Sequence, residues 1–106
     1  MGTGTSDFMI DLFIVGLEEP ELKNLIRDVK VTCWFQIGLE LIEDESEMNI
    51  IKANHKHDVK GALQDTFDLW LRTCESPTWQ KVINALKKCE ENSLAHELEK
   101  KYIFYN

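Results

Sequence analysis

The chain has 106 residues, a length that fits one domain. With 43% hydrophobic and 29% charged residues it can build a packed core and still stay in solution, which argues against a disordered chain. Its net charge of −7 argues against nucleic acid as a partner, since phosphate contacts need a basic face, and against docking on anionic lipid.

The first residues, Met-Gly-Thr-Gly-Thr-Ser, read as a loose terminus. The next stretch, "FMIDLFIVGL" at 8–17, is strongly apolar but too short to span a bilayer, and it carries Asp11. No signal-peptide pattern is visible. Asp7 can cap a short helix there and Gly16 can end it. Such a segment is expected either to pack on its own domain, near Tyr102, Phe104 and Tyr105, or to dock on a second copy of the chain. The reading therefore divides the chain into an extension, 1–17, and a domain, 18–104.

From there the periodicity is helical. Pro20 suits a first helical position, where its missing N–H costs nothing, and Leu22, Leu25, Ile26 and Val29 form one apolar stripe. Trp34, Ile37, Gly38 and Leu41 form a second. Ser46 can cap a short third helix bearing Met48, Ile50 and Ile51. Asp58 can cap a fourth, where Leu63, Phe67, Trp70, Leu71 and Cys74 recur at helical spacing. Ser76 and Pro77 offer a cap and a first helical residue for a fifth, with Trp79, Val82, Ile83 and Leu86 on one face. Asn92 can cap a sixth, striped by Leu94, Ala95, Leu98 and Tyr102. The expectation is an all-α, antiparallel six-helix bundle centred on its tryptophans, with an extra helical segment at the N-terminus. The segments Pro20–Val29, Trp34–Ile42, Glu47–Asn54, Leu63–Arg72, Pro77–Leu86 and Asn92–Tyr102 carry that pattern.

Catalytic chemistry is not evident. There is no phosphate-cradling glycine loop and no nucleophile elbow. His55 and His57 form a His-x-His pair, but nothing near them in sequence completes a metal site, so no metal and no cofactor is expected. Cys33, Cys74 and Cys89 are odd in number and widely spaced, which points away from a disulfide framework and toward a reducing, cytoplasmic compartment. Cys33 and Cys74 read as packed thiols. Charge, by contrast, is segregated. Glu40, Glu43, Asp44, Glu45 and Glu47 form an acidic run without a base, whereas Lys23, Arg27 and Lys30 gather near the first helix and Lys52, Lys56 and Lys60 follow the run. Such runs are often no more than a solvated face.

The segments "PELKNLIRDV", "WFQIGLELI", "EMNIIKAN", "LQDTFDLWLR", "PTWQKVINAL" and "NSLAHELEKKY" together resemble the death domain. Trp34, Gly38, Ile51, Leu69, Trp70, Trp79, Val82, Ala85 and Leu86 resemble that family's helix-two tryptophan and small-residue turn, its third-helix isoleucine, its "L-x-x-W" step (here Leu69 and Trp70 are adjacent) and its fifth-helix "W-x-x-L-x-x-A-L" (here with Val82). The third helix departs from the family with Glu47-Met48, the "VKVTC" link is short, and stretch 8–17 is additional. Sibling families share the six-helix fold; the tryptophan positions favour the death domain. The resemblance implies a Greek-key death fold with no enzymatic activity. It implies homotypic or heterotypic contacts with other death domains, in signalling assemblies of the apoptotic or innate-immune type. By the same resemblance, Glu40, Glu43, Asp44, Glu45 and Glu47 would form an acidic contact face, and Lys23, Arg27 and Lys60 a basic one. Arg72 and Thr73 would form a second surface with Lys88, Glu90 and Asn92 as its complement, and Asn49 and Lys52 a third. Such head-to-tail contacts can propagate into oligomers. Two other readings compete: a metal- or redox-sensing helical domain using the cysteines and His55/His57, and a helix-turn-helix nucleic-acid binder, which the acidic balance disfavours.

Overall fold

Among the described residues six helices follow one another: α1 (Pro20–Asp28), α2 (Trp34–Ile42), α3 (Glu45–Asn54), α4 (Val59–Thr73), α5 (Trp79–Lys88) and α6 (Asn92–Tyr102). The computed structural model describes residues 13–14, 16–30 and 32–103, and those residues hold no strand, only one isolated bridge. The fold is thus an all-α six-helix bundle. None of the described helices is long and apolar enough to cross a membrane.

Pro20 opens α1 as its spacing predicts, and Asp58 caps α4 by accepting the Gly61 N–H at 3.0 Å. Three other helix starts differ from the sequence reading. For α3 the cap is Asp44, not Ser46: Asp44 Oδ1 accepts the Glu47 N–H at 3.3 Å. The cause lies one residue earlier, where Glu43 takes a left-handed conformation (φ 59°) that ends α2 abruptly and starts the next helix sooner. Asn92 is the first residue of α6 and not its cap; Glu91 precedes it without a capping side-chain bond. Neither Ser76 nor Pro77 begins α5. The Pro77 carbonyl accepts the Ile14 N–H at 2.8 Å, and Thr78 forms an antiparallel bridge with Phe13. That pairing holds Thr78 extended (φ −110°, ψ 159°), so the helix waits until Trp79.

The same pairing corrects the expectation of a helix ending at Gly16. At residues 13–14 the chain is a strand-like strap over the 77–78 link. Ile14 is buried in the domain's own core and Leu17 packs against it. The remaining expectations for stretch 8–17, and for Phe104 and Tyr105, lie outside the described residues.

Helix α2 is the hub, touching α3, α4 and α5. It approaches α3 and α4 at Gly38. A Cβ placed there would collide with the Met48 methyl, lie 2.6 Å from the Met48 sulfur and 3.2 Å from the Thr66 methyl. Thr66 and Ala62 are correspondingly buried, and the Thr66 hydroxyl is satisfied by the Ala62 carbonyl at 2.8 Å. The buried face of α4 is therefore Ala62, Leu63, Thr66, Phe67 and Trp70, with Leu71 and Cys74 only half-buried. The apolar count pointed to Leu71, but close approach of helices selects the side with small residues. On α3, Met48 and Ile51 face inward while Ile50 is 55% exposed, against the sequence expectation.

Trp79, the first residue of α5, is buried and stacks on Tyr102, the last residue of α6, at 4.5 Å between ring centroids and 9° between planes. The start of one helix thus meets the end of the next, which makes α5 and α6 antiparallel. A flat tryptophan in a first turn is how the sequence closes this hairpin at its open end. Between α5 and α6 the turn is a Schellman motif. Glu91 N–H bonds to Leu86 C=O at 2.9 Å, Glu90 N–H to Lys87 C=O at 3.1 Å, and Glu90 is left-handed (φ 63°).

Two substitutions test this packing. Trp79→Ala should lower unfolding stability by about 3–5 kcal/mol in a denaturant titration, as loss of a large core aromatic does. Gly38→Ala should lower it by about 1–3 kcal/mol through overpacking against Met48 and Thr66. An unchanged midpoint for either would show that the corresponding contact is not part of the core.

Candidate protein-interaction surface

The acidic run divides into three kinds of group. Glu40 is on α2, partly covered, and lies 3.7 Å from Lys88 of α5 while accepting from Gln36 at 3.2 Å. Asp44 is the helix cap already described. Glu43, Glu45 and Glu47 are exposed and make no ion pair among the described residues. Glu45 and Glu47 occupy the first turn of α3, where the helix dipole favours negative charge. The result is an acidic edge at the joint between α2 and α3.

Most of the expected basic face is engaged locally. Lys23 pairs with Glu18 at 3.3 Å, and Arg27 with its neighbour Asp28 at 2.9 Å. The Arg27 guanidinium holds the Asp28 carboxyl below its ordinary range. The Lys60 ammonium reaches from α4 to the end of α1, donating to the carbonyls of Arg27 at 2.6 Å, Ile26 at 3.0 Å and Val29 at 3.2 Å. It neutralises the negative end of that helix. Lys60 is an internal clamp and not a free cation.

The other interaction candidates are spread around the molecule. Arg72 pairs with Asp68 one turn back at 3.2 Å, and the Thr73 hydroxyl donates to Leu69 C=O at 2.8 Å, both at the end of α4. Glu90 and Asn92 flank the α5–α6 turn, and Lys88 ends α5. Asn49 and Lys52 lie exposed on α3, with the Lys52 ammonium 5.3 Å above the Phe35 ring. The fold brings Glu40 and Glu43 of the acidic run together with Lys88 at a groove of about 370 Å³. Its walls carry Glu40 and Glu43 on one side and Lys81 and Lys88 on the other, with Trp70 at its base. Glu47 and Arg72 meet at a shallower hollow between α3 and α4. Lys23, Arg27 and Lys60 stay together on the α1–α4 side.

His55 and His57 do not converge. His55 Nε2 lies 2.6 Å from Asp65 Oδ2, tying α3 to α4, and His57 is exposed in the turn. Among the described residues no group of three or more His, Cys, Asp or Glu is placed to hold a metal ion.

The sequence reading missed Glu91, which is only 7% exposed. Its carboxylate accepts the Lys30 N–H at 3.0 Å and so ties the α5–α6 turn to the α1–α2 link. No residue pattern marks it; only the Schellman turn, which swings it inward, does. It also missed Glu21, bonded to Lys101 at 2.6 Å across α1 and α6. That hydrogen bond holds the Glu21 carboxyl below its usual value, and burial, helped by the Glu21 charge, pushes the Tyr102 hydroxyl upward.

No protein-family model, curated protein or solved structure matches this chain.

The Glu21 bond makes a pH prediction. A carboxyl depressed on folding adds stability that is present above its unfolded value, near 4.5, and is lost as pH falls through the folded value. Melting temperatures of the parent and Glu21→Gln should therefore differ at neutral pH and draw together as pH falls below 4.5. Parallel curves down to pH 3 would show that the bond does not contribute.

Proposed function

We propose that this chain is a non-enzymatic, death-domain-type interaction module that contacts a basic surface on a partner domain through Glu43, Glu45 and Glu47. One observation carries this reading: Glu43, Glu45 and Glu47 stand exposed at the joint between α2 and α3 and make no ion pair among the described residues. The three carboxylates lie within five residues of one another, whereas Glu40 of the same run pairs with Lys88 at 3.7 Å.

The same charges favour a heterotypic partner over a homopolymer. Copies carrying −7 each repel. Of the chain's own basic candidates, Lys60 is held by the end of α1, while Lys23 and Arg27 already have exposed partners in Glu18 and Asp28. Complementary potential would steer encounter and fix register more than it would set affinity. The family resemblance in the tryptophans and Gly38 adds the biological setting: recruitment of signalling proteins, of the apoptotic or innate-immune type, in the cytoplasm.

The test is calorimetric titration against a panel of basic death domains at low and high salt. A binding partner should be held more weakly at high salt. The double variant Glu45→Lys, Glu47→Lys should lose at least about tenfold in affinity, or roughly 1.4 kcal/mol. Glu43→Gly is the sharper probe, since it should raise the melting temperature by several degrees, about 1 kcal/mol, while weakening the complex. Binding that ignores all three substitutions would overturn the assignment of this edge.

A further inference from the structure

Cys33 and Cys89 stand 56 residues apart in the chain, and the fold places them together. The Cys33 Sγ lies 3.7 Å from the Cys89 carbonyl oxygen, close enough for a weak S–H bond. Both residues are half-buried and both pack against the core. Cys33 immediately precedes α2 and Cys89 immediately follows α5, and those two helices are in contact. One step away, the Lys30 N–H to Glu91 bond holds the same two segments in place. Cys74 is elsewhere, in the α2–α4–α5 groove, with its sulfur 3.6 Å from the Lys81 ammonium.

We infer that Cys33 and Cys89 form a reversible intramolecular disulfide that locks the α1–α2 link to the α5–α6 turn when the surroundings become oxidising. This inference is independent of the acidic edge and does not rest on the function proposed above. The oxidant we name is a low-molecular-weight disulfide such as glutathione disulfide. The Cys33 thiolate attacks one of its sulfurs, the S–S bond breaks, and one glutathione thiolate leaves. Cys89 then gives its proton to solvent and attacks the Cys33 sulfur, expelling the second glutathione thiolate. Two protein thiols are oxidised, one glutathione disulfide is reduced to two thiols, and electrons and atoms balance.

The order of attack follows from the surroundings. Burial pushes the Cys89 thiol up to about 11, with the nearby Cys33, Glu40 and Glu91 adding to the effect. Cys89 is thus almost wholly protonated near neutrality and suits the second, intramolecular step, where proximity offsets a low thiolate fraction.

The experiment uses the whole chain, as the parent and as Cys74→Ser, equilibrated in glutathione buffers from reducing to oxidising. Intact mass, peptide mapping and melting temperature are read for each. The expected product is a monomer lighter by two hydrogens, with peptides 33 and 89 joined, its melting temperature raised by on the order of 10–20 °C, all reversed by dithiothreitol. Cys33→Ser and Cys89→Ser should each abolish the mass loss while keeping the helical circular dichroism of the parent. Stable glutathione adducts on both thiols, a disulfide that joins two chains, a bond through Cys74, or two free thiols throughout the oxidising range would each overturn the inference.

Discussion

Helix α2 can lie closely against α3 and α4 together because position 38 has no side chain. The Met48 thioether and the Thr66 methyl occupy the space a Cβ would need, so Gly38 sets how close three helices come. Much of the molecule follows from that approach. It turns α4 so that Ala62 and Thr66, not Leu71, face inward. The two ends of α2 lead to the two candidate sites. The C-terminal end must turn sharply at Glu43 to send α3 back across the bundle, which creates the acidic corner. The N-terminal end places Cys33 on the carbonyl of Cys89. The candidate interaction edge and the candidate redox joint are opposite ends of one helix.

Charge segregation in the chain and charge segregation on the surface are different things here. Along the sequence, Lys23, Arg27 and Lys60 balance the acidic run. In space each has a nearer use: Lys23 and Arg27 meet carboxylates within five residues of themselves, and Lys60 caps α1 from a different helix. Exposed pairs of the first kind are worth little, about 0–1 kcal/mol, and exchange readily. The Lys60 clamp satisfies carbonyls that would otherwise end a helix without partners, so it is less available. Glu40 has Lys88 as its partner, but Glu43, Glu45 and Glu47 make no ion pair among the described residues, and that asymmetry favours a partner of opposite charge.

What could be read from the sequence was local. Pro20 and Asp58 marked helix starts because the backbone geometry they require is supplied by their own residues. The tryptophan stripes located the core because burial of so large a side chain overrides other preferences. The failures share one cause, which is contact from far along the chain. Ser76 and Pro77 have every local feature of a helix start, but pairing with residues 13–14 keeps the link extended as far as Thr78. Ser46 lost its role to Asp44 because of the turn at Glu43. Ile50 matched an apolar count, yet a two-sided contact with α2 and α4 leaves α3 only Met48 and Ile51 to bury. Glu91 has no signature, since an acid is buried only where another segment offers an N–H. The acidic run was legible as composition; which of its members cap, pair or stand free was not.

The central claim is that the corner from Glu43 to Glu47 is a contact surface separable from the fold that carries it. Amide chemical-shift mapping of the isotope-labelled chain, titrated with a basic death domain that binds it, tests this most directly. The account predicts that the perturbed amides cluster from Glu40 through Glu47 and spread to Lys81 and Lys88 across the groove, with α1 and α6 unmoved. Perturbations centred on Lys23, Arg27 and Lys60, with residues 43–47 silent, would contradict it.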